Sequence, residues 1–183
     1  MPTEKQLLSY FLELLPQCKS SRTSCEEGKG KVSRKPDKGE DVCFFNFNKE
    51  NQAVACLALK IQQNAIKKGE RVICDCLIYF GRRDSKRDAY EETFCLVELK
   101  GSDLKHAMRQ LINTYDKLWR LLEDSSCKGQ LQLFTKKAYI YKHGNAPKET
   151  KDKDFVALRR KLEARFDDFA HHRDSDIGTF LRK

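Results

Sequence analysis

Two stretches decide the fold: Val72 to Phe80, which reads VICDCLIYF, and Thr93 to Lys100, which reads TFCLVELK. Both are dominated by β-branched, aromatic and other apolar residues with no polar alternation. This is the pattern of strands buried on both faces, as in a sheet covered by other elements on either side. The interval between them, Gly81 to Glu92, is charged and turn-like, so the two strands are expected to form a long hairpin. Three residues break the apolar rule. Asp75 lies between Ile73 and Leu77 on one face of the first strand. On the second, the two-residue period puts Glu98 and Lys100 on the face of Phe94 and Leu96. If the strands pair antiparallel with partner numbers summing to an odd value, Asp75 stands abreast of Glu98 or Lys100.

Outward from this pair the chain alternates helices and strands. Thr3 and Gln6 form a capping box ahead of Leu7, Leu8, Phe11, Leu12 and Leu15 at helical spacing, and Pro16 ends the run. Residues 17–40 are rich in Lys, Ser, Gly and Arg and predict a flexible basic loop. Ala53, Val54, Leu57, Ala58, Ile61 and Ala65 predict a second helix that Gly69 stops. After Lys100, Ser102 can cap a helix carrying the stripe Leu104, Met108, Leu111, Tyr115, Leu118 and Leu122. Gly129 to Lys142 supplies another strand, or two if Lys136 and Lys137 turn the chain. Phe155, Leu158, Leu162, Phe166 and Phe169 mark a last helix, and the tail from His171 onward is expected to be weakly ordered.

At 183 residues the chain suits one domain with a substantial core. Charged residues make up 34 %, above the usual quarter, so the surface carries most of them; the net charge of +9 favours polyanionic partners. The N-terminal leucines are interleaved with Glu4, Lys5 and Glu13 rather than forming a signal peptide's apolar run, and no stretch has the length of a membrane span. The expectation is a cytoplasmic protein without membrane association. Its eight cysteines, with Cys74, Cys76 and Cys95 in apolar strands, then read as reduced, buried thiols.

A carboxylate on an apolar strand face is costly unless cations, hydrogen-bond donors or a metal ion stand close to it. Two such carboxylates converging with one ammonium are what hydrolysis of a phosphodiester by a hard metal ion requires. Asp75, then a hairpin, then Glu98-Leu99-Lys100 and a helix resembles the motif of the PD-(D/E)xK nucleases. This superfamily includes restriction endonucleases, Holliday-junction resolvases and RecB-type exonucleases. The resemblance runs from the second expected helix to Lys142, with Cys74-Asp75 standing where the family's name has Pro-Asp. It implies an α/β, restriction-endonuclease-like three-layer core in which a mixed central sheet is flanked by helices. It also implies cleavage of nucleic acid, DNA above all, with Mg2+ or Mn2+ held by Asp75, Glu98 and the backbone carbonyl of Leu99, and with Lys100 orienting or activating water. Glu50, at the start of the second expected helix, is the candidate for a further upstream carboxylate. A duplex cutter with one site per chain reaches both strands as a symmetric homodimer.

The helix after Lys100 carries His106, Arg109, Gln110, Asn113 and Lys117 at intervals of three and four, a polar face suited to phosphates near the site. Gln110 with Tyr115 resembles the glutamine–tyrosine pair of the RecB-type branch, at a spacing one residue too long. Three other readings compete. The carboxylates can serve a catalytically inactive nucleic-acid-binding module of the same fold, or a buried ion-pair cluster. Cys18, Cys25, Cys43 and Cys56 can hold zinc or an iron–sulfur cluster, although no CxxC pair is present.

Overall fold

The computed structural model describes residues 24–28, 30–47, 73–84, 89–99, 103–123, 134–142, 152–173 and 175–183. The helices expected over 3–15 and 51–66, together with Glu50, Lys100, Cys18 and Cys56, lie outside the described residues. The described elements are β1 (Ser24–Glu27), β2 (Gly30–Ser33), β3 (Glu40–Asn46), β4 (Cys76–Asp84), β5 (Ala89–Glu98), α1 (Leu104–Glu123), β6 (Thr135–Tyr141), α2 (Lys153–Glu163), β7 (Asp168–His172) and α3 (Gly178–Leu181).

Five strands form one mixed sheet in the order β3-β4-β5-β6-β7. β4 and β5 run antiparallel, as hairpin partners must, and β3 pairs antiparallel with β4, whereas β5, β6 and β7 are parallel. Parallel neighbours need a crossover, and α1 and α2 supply the two. Both crossovers step across the sheet in the same direction, so their common handedness puts both helices on one face. There Leu104, Met108, Leu111 and Leu118 of α1 and Phe155 and Leu162 of α2 bury Phe45, Leu77, Phe94, Leu96, Ala138 and Ile140. The opposite face, with Phe44, Cys76, Ile78, Cys95, Val97 and Tyr139, is covered by Cys25 and Val32 of the β1–β2 hairpin and by Ile177, Phe180 and Leu181 around α3. Two covered faces explain why the two deciding stretches are apolar throughout. Fully burying each such Val, Leu, Ile or Phe side chain contributes about 1.5–3 kcal/mol.

Several expectations are corrected. Within the basic segment 17–40, expected as a flexible loop, 24–27 and 30–33 pair as β1 and β2, with Cys25 and Val32 matched across them and both entering the core. β3 was not anticipated, although Val42 to Phe45 is an apolar run of the same kind as β4. Ser102, the expected cap of α1, lies outside the described residues; Asp103 accepts the N–H of His106 at 3.0 Å. Lys136 and Lys137 do not turn the chain but lie within β6. The last long helix stops at Glu163, and Phe166 and Phe169 leave the helical stripe. Asp167 there bonds Lys136 through both its N–H and its carboxylate, which docks the following residues on β6 as β7.

From His171 onward, where the sequence suggested a weakly ordered tail, the described residues form the end of β7 and α3. Ile177, Phe180 and Leu181 are buried, and Ser33 bonds the backbone of Ser175 and Ile177. Arg34 and Arg182 both pair with Asp37 and Glu40, tying this tail to the turn before β3. The Arg34 side chain lies against Gly178, where any Cβ would come within 2.7 Å of it. Among the described residues, no helix is long and apolar enough to cross a membrane.

Candidate functional site

The β4–β5 ladder pairs Cys76 with Val97, a register of the odd-sum kind, and ends there. One residue further, the chain bends so that Asp75 reaches both neighbours of Glu98. Its N–H donates to the Val97 carbonyl at 3.1 Å, and its Oδ2 accepts the Leu99 N–H at 2.7 Å. Its own carbonyl accepts the N–H of Phe47, which follows β3. Asp75 therefore brackets Glu98, and both side chains are 0 % exposed. Glu98 ends β5, at the carboxyl edge of the parallel half of the sheet, where open α/β sheets place their ligands.

Helix α1 holds the segment leading into Asp75. Gln110 Nε2 donates to the Ile73 carbonyl at 3.0 Å, and Thr114 Oγ1 accepts the Cys74 N–H at 2.8 Å while donating to the Gln110 carbonyl at 2.7 Å. Burial pushes the Cys74 thiol well up, and the carboxylates of Glu98 and Asp75 push it further, so both act on one small, water-poor volume. Thr114 was missed by sequence reasoning. Its signal is a hydroxyl one helical turn beyond Gln110, at the border of the apolar stripe, where a threonine can bond the carbonyl four residues back.

The other expected residues divide. Leu99 is buried, and Gly30 of β2 sits directly against its carbonyl; a Cβ on Gly30 would lie 2.4 Å from that oxygen. On α1, Arg109 is exposed and His106 and Asn113 are half-buried, available to a partner. Gln110, expected among the nucleic-acid contacts, is 2 % exposed and donates to the Ile73 carbonyl, which positions the strand of Asp75. The RecB-like pairing of Gln110 with Tyr115 is likewise not formed toward the site: Tyr115 stacks on Trp119 and packs edge-on against Phe166. Lys117 is half-buried, and desolvation lowers its pKa.

The cysteine reading is settled in part. Cys25, Cys43, Cys74, Cys76 and Cys95 are buried, and no disulfide joins any two of them. Cys25 and Cys43 pack in cores on opposite faces of the sheet, so these two cannot share a zinc ion or an iron–sulfur cluster. Among the described residues, no three His, Cys, Asp or Glu side chains are grouped to hold a metal ion. The two carboxylates that act together on Cys74 offer oxygen donors, which suit a hard divalent cation rather than a soft one.

No family model matches this chain, and no curated protein sequence matches it.

Proposed function

We propose that the protein is a Mg2+- or Mn2+-dependent nuclease of the PD-(D/E)xK type with a restriction-endonuclease-like core, hydrolysing phosphodiester bonds in DNA. The observation that carries this reading is the bracketing of Glu98 by Asp75 at the end of β5, two fully buried carboxylates placed side by side. Further support comes from the order of elements. An antiparallel hairpin ends in the two acids, a helix crosses over, and a parallel strand returns beside the second acid, the arrangement that the resemblance implies.

In this mechanism Asp75 and Glu98 hold the cation, with the Leu99 carbonyl beside them. The bound ion supplies charge neutralisation at the phosphate and a lowered pKa for water. The Leu99 N–H fixes the orientation of Asp75, and Gln110 and Thr114 hold the backbone of Ile73 and Cys74 so that the carboxylate keeps its place. Lys100, two residues beyond Glu98, orients the attacking water and donates to the developing charge. Arg109, with His106 and Asn113, contacts neighbouring phosphates from α1, and the net charge of +9 draws in the polyanion.

The test is cleavage of labelled linear, circular, branched and RNA substrates with each divalent metal. Asp75→Ala, Glu98→Ala and Lys100→Ala are each expected to abolish cutting; undiminished cleavage by Lys100→Ala would remove the mechanism. A second reading, an inactive nucleic-acid-binding module, is favoured by one observation: the bond from the Leu99 N–H gives Asp75 a structural use without a metal. Calorimetry separates the two, since only the nuclease reading expects Mg2+ or Mn2+ binding that Asp75→Ala abolishes.

A further inference from the structure

β7 is an outer strand of the sheet, and among the described residues no strand pairs with its far side. The His172 carbonyl accepts the N–H of Lys142, so His172 turns its backbone groups inward to β6. Backbone groups point alternately to the two sides of a strand. Asp168 and Ala170 therefore address β6 as well, while Phe169 and His171 turn theirs outward. The Phe169 N–H accordingly meets the Asp168 carboxylate, at 2.8 Å.

The residues along this edge run Asp167, Asp168, Phe169, Ala170, His171, His172, Arg173. The acids precede Ala170 and the bases follow it, so the strand turned end for end about Ala170 complements itself. Asp168 then stands opposite His172 of a second copy, Asp167 opposite Arg173, and Phe169 opposite His171. This last pair holds the outward-facing residues, which exchange both backbone bonds in an antiparallel ladder. At the centre, alanine meets alanine. Centring on His171 would instead set two imidazoles against each other, and centring on Phe169 would put Asp168 opposite Ala170. Opposite charges facing across strands stabilise a pair and like charges oppose it, which favours the register about Ala170.

Helix α2 borders the same edge. Its inner flank meets α1, where Lys105 bonds Asp152 and also feels the charge of Asp154. Two residues on, about 200° round the helix, Val156 faces away from α1. It is 40 % exposed, one of two large apolar side chains exposed among the described residues. Arg159 and Glu163 share its flank and bond each other at 3.0 Å, so that flank carries no net charge. Since α2 packs over β6 and Phe169, a copy joined at β7 brings its own α2 alongside, two strand spacings away. That is about 10 Å, a distance at which helices pack.

We propose that two copies of this chain join edge to edge through β7, antiparallel about Ala170, with Val156 of each α2 flanking the seam. The pairing makes one continuous sheet, and the Asp168 carboxylate turns from the Phe169 N–H to His172 of the second copy. It rests on β7 and α2 and does not need the nuclease reading. A strand from an unrelated peptide is the other occupant of such an edge. It is disfavoured because the charge order of β7 matches its own reverse.

The experiment is sedimentation equilibrium of the full chain, in EDTA, over a dilution series. The expected particle has twice the mass of the chain and dissociates on dilution. His172→Asp, which sets like charges against each other twice per dimer, and Val156→Glu should each weaken association about tenfold. Both positions are exposed, and an unaltered melting temperature verifies their folding. Adding Asp168→His to His172→Asp exchanges the two partners and should restore the dimer; if that double variant does not fold, Val156→Glu decides. A monomer at every concentration, as when a segment of its own chain covers the edge, would overturn the proposal. So would a dimer indifferent to both single substitutions, or a folded double variant that stays dissociated. A dimer that cleaves no substrate sinks the nuclease reading alone, and cleavage by a monomer sinks this one alone.

Discussion

Replacing Asp75 by Asn asks what the buried acid is for. The amide oxygen still accepts the Leu99 N–H, which Oδ2 now accepts at 2.7 Å, so the local geometry has its bond. What disappears, when both acids are ionised, is one of two like charges on neighbouring strands. Residues facing each other across an antiparallel pair lie about 5 Å apart, and at an effective dielectric near 20 two like charges at that distance repel by roughly 3 kcal/mol. Relief of even a third of this, about 1 kcal/mol, raises the melting temperature of a domain this size by some 2–4 °C. The expected result is a variant at least as stable as the parent without metal, in which Mg2+ or Mn2+ no longer raises the melting temperature as it does in the parent. Scanning calorimetry with EDTA and with each metal reads both quantities. A structural ion pair predicts the opposite, because removing one partner of a buried pair costs about 3–5 kcal/mol. A loss of that size, with unchanged metal response, would refute the assignment of Asp75 as a ligand.

Other perturbations test the supports of the site. Gly30→Ala places a Cβ 2.4 Å from the Leu99 carbonyl oxygen and 2.9 Å from its Cβ, so the hairpin must lift; denaturant unfolding should show a loss of about 1–3 kcal/mol. Lys137, 2 % exposed, donates to the carbonyls of Phe180 and Leu181 at 2.9 Å each, and desolvation lowers its pKa. Lys137→Met strands both acceptors, at about 1–3 kcal/mol apiece before any gain from removing the buried charge, and should expose the C-terminal segment to limited proteolysis. Burial and, behind it, the bond to Asp41 raise the Tyr90 hydroxyl to about 12. A raised phenol favours folding while protonated, so its contribution is complete below the ordinary value of 10 and drains away as pH climbs to about 12; an alkaline melt should show that fall, and Tyr90→Phe should flatten it.

The sequence by itself determined the two central strands, the helix that follows them and the outlying acids. Each rests on a strong local pattern: apolar runs with no alternation, a long stripe at helical spacing, and carboxylates where the strand rule forbids them. It also determined that an odd-sum register would bring Asp75 to Glu98. Only the tertiary structure decided which register formed, because pairing depends on the faces that α1 and the hairpin cover. It alone revealed that Gln110 turns inward to Ile73 and that Thr114 holds Cys74, since both bonds join segments about forty residues apart. The same holds for β7, whose Phe169 continues a helical stripe in sequence yet pairs with Ala138 of β6. A free sheet edge offers more hydrogen bonds and burial than two further helical turns on the surface, and local periodicity carries no record of that edge.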